Sequence, residues 1–182
     1  MTSSTTKSSE SIWETIAAEA EQESPLWGHA LLPADRRELI PVFSPLGHPR
    51  FTLGLETIYE GYLLHYGRSR LFSPADRDIA LLLGDYLYAH GLVRIAMLEE
   101  VAAVADLAEL ISLCAQVRAE NAGGDGAAWA ATAALLGEGA LEEPREALRR
   151  DRDPEPLVAV ARAVAGADAV AAALDAHAAR VR

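Results

Sequence analysis

The run Asp78-Ile-Ala-Leu-Leu-Leu-Gly-Asp-Tyr-Leu-Tyr-Ala-His-Gly-Leu-Val-Arg-Ile-Ala-Met-Leu98 constrains this chain more than any other stretch. Apolar side chains fall on every face from Ile79 to Leu83 and return at Leu87, Leu92, Val93, Ile95, Met97 and Leu98. A helix with so wide an apolar surface must be enclosed by its own chain or shared with a partner. Asp85, His90 and Arg94 recur at four- and five-residue intervals, which predicts a polar seam along that helix.

The remainder reads as further helix. Ala, Leu, Glu and Arg dominate while runs of Val, Ile and Thr are scarce, so the predicted fold class is all-α. A length of 182 residues with 51% hydrophobic content supplies one core, which predicts a single-domain helical bundle over residues 12–182. Residues 1–11 are polar, with no apolar run behind them, and are expected to form an unstructured tail and not an export signal. The spacing predicts helices over Ile12 to Glu23, Ala34 to Ile40, Thr52 to His65, Asp78 to Leu98 behind a Ser73-Pro74 cap, Val101 to Val117, Ala127 to Leu136 and Pro156 to Val181. Asn121 to Gly126 and Gly137 to Gly139 read as breaks, and Glu142 to Arg152 as a solvated helix or loop of mixed charge.

Charge and cysteine content remove several function classes. A formal net charge of -11 opposes nucleic acid, and no basic stripe interleaved with aromatics offsets it. Cys114 is the only cysteine, so an internal disulfide and a cysteine-based metal site are excluded. Its apolar neighbours predict a buried thiol, and the composition fits a reducing compartment. No uninterrupted apolar run reaches the roughly 20 residues of a membrane span. The glycine cluster at Gly123-Gly124 follows a helix and lacks a Lys-Ser/Thr pair, so it is no phosphate loop. The expectation is a cytoplasmic protein without a cofactor.

Two motifs occur in a telling order. Gly47-His48-Pro49-Arg50-Phe51 precedes a predicted helix that ends Leu63-Leu64-His65, and Leu83-Gly84-Asp85-Tyr86-Leu87 follows. This arrangement resembles the first half of the trans-polyprenyl diphosphate synthases, the all-helical isoprenoid synthase family, over residues 47–120. In that family the helix ends Leu-x-His-Asp-Asp-x-x-Asp, and the aspartates hold magnesium against an allylic diphosphate. Tyr66, Gly67 and Arg70 stand at those three positions here, and the second aspartate-rich motif has no counterpart. Hard divalent ions require oxygen ligands, so magnesium cannot be held in the family manner.

The resemblance therefore implies a shortened, degenerate isoprenoid synthase fold without its own prenyl transfer. Some family members are small or regulatory subunits that bind a catalytic polyprenyl diphosphate synthase in isoprenoid biosynthesis, and this sequence looks like one of them. Arg50, Arg68 and Arg70 are its candidate diphosphate-binding residues, because guanidinium groups bond phosphate oxygens in pairs. Leu83, Tyr86, Leu87, His90 and Arg94 form its candidate partner face; no catalytic residue and no metal ligand is assigned. Two other readings stand beside it: a homo-oligomeric structural or cargo-type protein without ligand, and a carrier that encloses an isoprenoid.

Overall fold

A computed structural model describes the backbone of residues 3–181, with side-chain surroundings from Ile12 onward. Its α-helices are α1 (Ser3–Glu23), α2 (Pro25–Ala30), α3 (Thr52–Tyr66), α4 (Arg77–Ala96), α5 (Val101–Ala119), α6 (Asp125–Ala134), α7 (Glu142–Asp151), α8 (Glu155–Ala165) and α9 (Ala167–Ala178). The described residues contain no strand, only two isolated bridges, Leu31 with Phe72 and Gly67 with Val181. The all-α expectation holds.

Helices α3 and α4 form the spine, and glycine is the reason they lie so close. Gly54 and Gly61 on α3 face Gly84 and Gly91 on α4, each pair seven residues apart and so on one side of its helix. A methyl group on Gly61 would stand 2.8 Å from the Gly84 carbonyl oxygen, and one on Gly54 would stand 2.5 Å from Ile95 Cδ1. The two backbones touch where side chains would otherwise hold them apart. Around α3 the main core gathers Phe43, Tyr59, Tyr62, Leu107, Leu110 and Trp129 with apolar residues of α5 to α9. A second, smaller core joins Trp13, Ile16 and Ala20 of α1 to Leu71, Phe72, Leu83 and Leu87.

Several expectations need correction. The helix expected from Ile12 already runs from Ser3, within the segment expected to be an unstructured tail; each residue added to a formed helix gains a backbone hydrogen bond. Met1 and Thr2 lie outside the described residues. Ser24-Pro25 both ends α1 and starts α2, since Ser24 Oγ accepts the Leu26 N–H and proline occupies the first turn. Of the helix expected over Ala34 to Ile40 only a single 3-10 turn, Ala34–Arg36, forms. The chain leaves that turn because the Glu38 N–H donates to the Arg70 carbonyl and the Ile40 carbonyl accepts from Arg70 Nη1. Asp76, not Ser73, caps α4: its carboxylate accepts the Ile79 N–H at 2.9 Å, while the Ser73 N–H donates to Ala30.

The mixed-charge segment is helical, and it is anchored instead of floating in solvent. Arg145 is buried and donates to Asp106 Oδ1 at 2.9 Å. The final helix is two helices, because Gly166 adopts φ +89°, a conformation that alanine resists, and turns the chain between α8 and α9. By length and composition α4 is apolar enough to cross a membrane. In this fold one face of it, Leu83, Gly84, Leu87, Gly91 and Ile95, is buried.

Candidate functional site

The three arginines selected from the sequence do not converge. Arg50 lies against Phe51 and pairs with Glu100 at 2.7 Å. Arg68 pairs with Glu38, which also holds Arg180, and the bond from Arg68 keeps the Glu38 carboxyl below its ordinary range despite partial burial. Arg70 is fully enclosed. Its Nε donates to Glu60 Oε1 at 2.5 Å and its Nη1 to Glu56 Oε2 at 2.7 Å. Trp13 and Tyr59 cover the guanidinium, with ring centroids 4.4 and 4.9 Å away. Glu56 and Glu60 are one turn apart on α3, and Ser44 and Ser69 donate their hydroxyls to them at 2.5 Å each. Arg70 is thus an internal counter-ion, closed to any diphosphate, and the expected cationic patch does not form.

The expected partner face is also largely occupied, by the chain's own N-terminus. Leu83 and Leu87 pack against Trp13 and Ile16 of α1, and Tyr86 stacks on Trp27 of α2 at 6.1 Å. Glu19 of α1 takes both remaining members, meeting His90 Nε2 at 2.8 Å and pairing with Arg94. The expected seam divides: His90 and Arg94 share Glu19, 71 residues from His90, whereas Asp85 stands exposed against His65 of α3.

The ends of α3 and α5 and the start of α4 border an open cleft of about 980 Å³. Leu63, Leu64, Phe72, Ala80, Ala115 and Ala119 give it apolar wall, while His65, Arg68, Arg77 and Arg118 bring cationic or protonatable groups. His65 is seated by a bare position: a methyl on Gly84 would lie 2.6 Å from His65 Nε2. Tyr88 stacks on the imidazole at 5.1 Å, its plane within 6° of parallel. Asp85 Oδ1 lies 3.1 Å from His65 Nε2 without the alignment of a hydrogen bond. Burial lowers the imidazole pKa, nearby Arg77 lowers it further, and Asp85 only partly offsets both.

Behind the cleft wall Arg118 joins a buried polar network. Its Nε donates to Asp125 Oδ2 at 2.8 Å, and Tyr62 donates its hydroxyl to the same oxygen. His177 Nε2 lies 3.3 Å from that oxygen, and His177 Nδ1 meets the Tyr59 hydroxyl at 3.0 Å. Burial acts to raise the Asp125 carboxyl, but the bonds from His177 and Tyr62 and the charge of Arg118 outweigh it and hold the group below the carboxylate range. This network ties α3, α5, α6 and α9 together. Sequence reading missed both His177 and Asp125, which lies inside the segment read as a break from Asn121 to Gly126.

Comparison with protein families, curated proteins and solved structures finds no match. Among the described residues no three His, Cys, Asp or Glu side chains are placed to share a metal ion. The site is a half-apolar cleft with Arg77 and the largely buried His65 in its lining and the Arg118–Asp125 ion pair behind it.

Proposed function

We propose that this chain is a non-catalytic, polyprenyl-synthase-like subunit that works by associating with a second helical protein, either a catalytic polyprenyl diphosphate synthase or another copy of itself. One observation carries the reading. Five of the eight large apolar side chains left exposed among the described residues, Leu82, Val93, Met97, Leu98 and Val101, lie on α4 and the α4–α5 corner. Met97 is 77% exposed and Val101 81% exposed. Ala89 and Ala96 on α4 and Ala102, Ala105 and Ala108 on α5 are exposed as well, with Glu99 an exposed charge at the corner between the two helices. A concentration of exposed apolar side chains of this kind is the surface that an interface covers. The reading moves the partner surface from the residues expected in the sequence to the outward side of the same helix.

Light scattering coupled to size exclusion tests it, on the full chain alone and mixed with a polyprenyl diphosphate synthase. The expected result is a dimer or a mixed complex that Val93→Glu with Met97→Glu dissolves, while helical content by circular dichroism stays unchanged. A chain that stays monomeric and unbound in both arms refutes the proposal.

A further inference from the structure

We infer that the outward side of the α4–α5 hairpin is a groove for one amphipathic helix of a partner protein, a helix whose apolar stripe is flanked by lysine or arginine. The inference rests on the reading of this face as an interface and deepens it by naming the occupant, a second protein and not a second copy of this chain.

Periodicity builds the groove. Helix α5 turns back along α4 from the corner between them, so their outward rows run side by side. On α4 Leu82, Asp85, Ala89, Val93 and Ala96 recur at three and four, and on α5 Val101, Val104, Ala108, Ile111 and Ala115 do the same. Leu92 of α4 with Val104 and Ile111 of α5 are half-buried against the main core and form a floor, whereas Leu82, Val93 and Val101 stand out as walls. The α5 row extends over about 21 Å at a rise of about 1.5 Å per residue. That is about four turns, enough for the i, i+3, i+4 and i+7 anchors by which a docked helix is held.

Charge selects the occupant. The carboxylates beside the groove are Asp78 and Asp85 on α4, Glu99 and Glu100 at the corner and Glu109 on α5. Arg50 neutralises Glu100, and Arg149 neutralises Glu109. Asp78 and Glu99 make no ion pair among the described residues, and Asp85 meets the His65 imidazole, whose protonation burial opposes. Arginines of the two helices offset little of this: Arg94 is drawn to Glu19 on the α1 side and Arg118 to Asp125, which leaves Arg77 at the cleft end.

An apolar groove with an acidic rim attracts a helix with basic flanks and fixes its register. A second copy fits badly, because an isologous contact sets one patch against the same patch. Asp78, Asp85 and Glu99 would then face the same acids of the other copy, between chains that each carry a formal net charge of -11. An anionic membrane surface is repelled by the same rim.

Fluorescence anisotropy on the full chain tests the groove with three labelled peptides of about 15 residues: a leucine–lysine helix with leucine at the a and d positions, a scrambled peptide of the same composition, and a leucine–glutamate helix of the same pattern. The leucine–lysine helix is expected to saturate at one per chain and to bind at least about tenfold more tightly than either control. Val93→Gln with Val101→Gln should weaken it about tenfold. Asp78→Asn with Glu99→Gln should weaken it about threefold and flatten its salt dependence between about 50 and 300 mM. Asp168→Asn with Asp175→Asn, an equal loss of charge on α9, should change neither. Equal binding of the scrambled peptide, no saturable binding of the leucine–lysine helix, or groove variants that are folded by circular dichroism and bind as before would each overturn the inference. Light scattering separates it from the subunit reading. A homodimer that Val93→Gln with Val101→Gln dissolves removes this inference and leaves that reading standing, whereas peptide binding by a chain that stays monomeric and takes up no polyprenyl diphosphate synthase does the reverse.

Discussion

Replacing Arg70 with methionine isolates what the buried charge cluster contributes. Methionine matches the length of the arginine stem and keeps contact with Trp13 and Tyr59, but it leaves Glu56 and Glu60 without their cation. Both carboxylates are 1% exposed or less, so water cannot compensate. Breaking a buried pair by removing one partner costs about 3–5 kcal/mol, and the lost cation–π contacts with Trp13 and Tyr59 add about 1–2 kcal/mol. A loss of about 5 kcal/mol would consume a third or more of the total stability of a domain of ordinary stability. For a chain of this length it corresponds to a fall of roughly 10–20 °C in Tm. Urea denaturation followed by tryptophan fluorescence measures it directly, because Trp13 is stacked on the guanidinium itself. The compensating triple variant Arg70→Met, Glu56→Met, Glu60→Gln discriminates the cause. The amide oxygen that Glu60→Gln introduces still accepts from Ser69 Oγ and the Leu71 N–H, so the backbone keeps its partner. If uncompensated buried charge is the damage, the triple variant recovers more than half of the loss, since buried ion groups are replaceable by apolar ones of like volume. A single variant that costs under about 1 kcal/mol, or a triple variant as unstable as the single one, refutes this account.

Two further outcomes follow from the packing and from the second network. Gly61→Ala places a methyl 2.8 Å from the Gly84 carbonyl oxygen, so the helices must separate; the urea midpoint should fall by the equivalent of about 1–3 kcal/mol, although alanine is the better helix former. Asp125 has a folded-state pKa depressed below its unfolded value, so its contribution is fully present above about pH 4 and is lost as pH falls through the folded value. Stability measured from pH 7 down to pH 3 should therefore decline in the native chain, and Asp125→Asn should be less stable at pH 7 and show a shallower decline.

Helix content was legible at the scale of three and four residues. The expected segments from Thr52, through the central run and on to Val117 correspond to α3, α4 and α5 within two residues at each boundary, because apolar periodicity and turn residues act on neighbours in the chain. Gly166 shows the limit of that signal: a lone glycine in an alanine-rich run costs a helix little, and its positive φ emerges only when α8 and α9 pack on different surfaces. The site was less legible still. The histidine at position 65 was visible in the sequence, but its uncommitted neighbour Arg77 was not, since an arginine's availability depends on whether a carboxylate comes near.

By itself, then, the sequence determined the helical class and the placement of the central helices. Tertiary structure alone decided which side of α4 the N-terminal helices cover, that Arg70 is consumed by Glu56 and Glu60, and that Tyr59 meets His177 across 118 positions of chain. The division has one physical origin. Helices are specified by hydrogen bonds between residues four apart, whereas counter-ions and clefts are specified by distance in space.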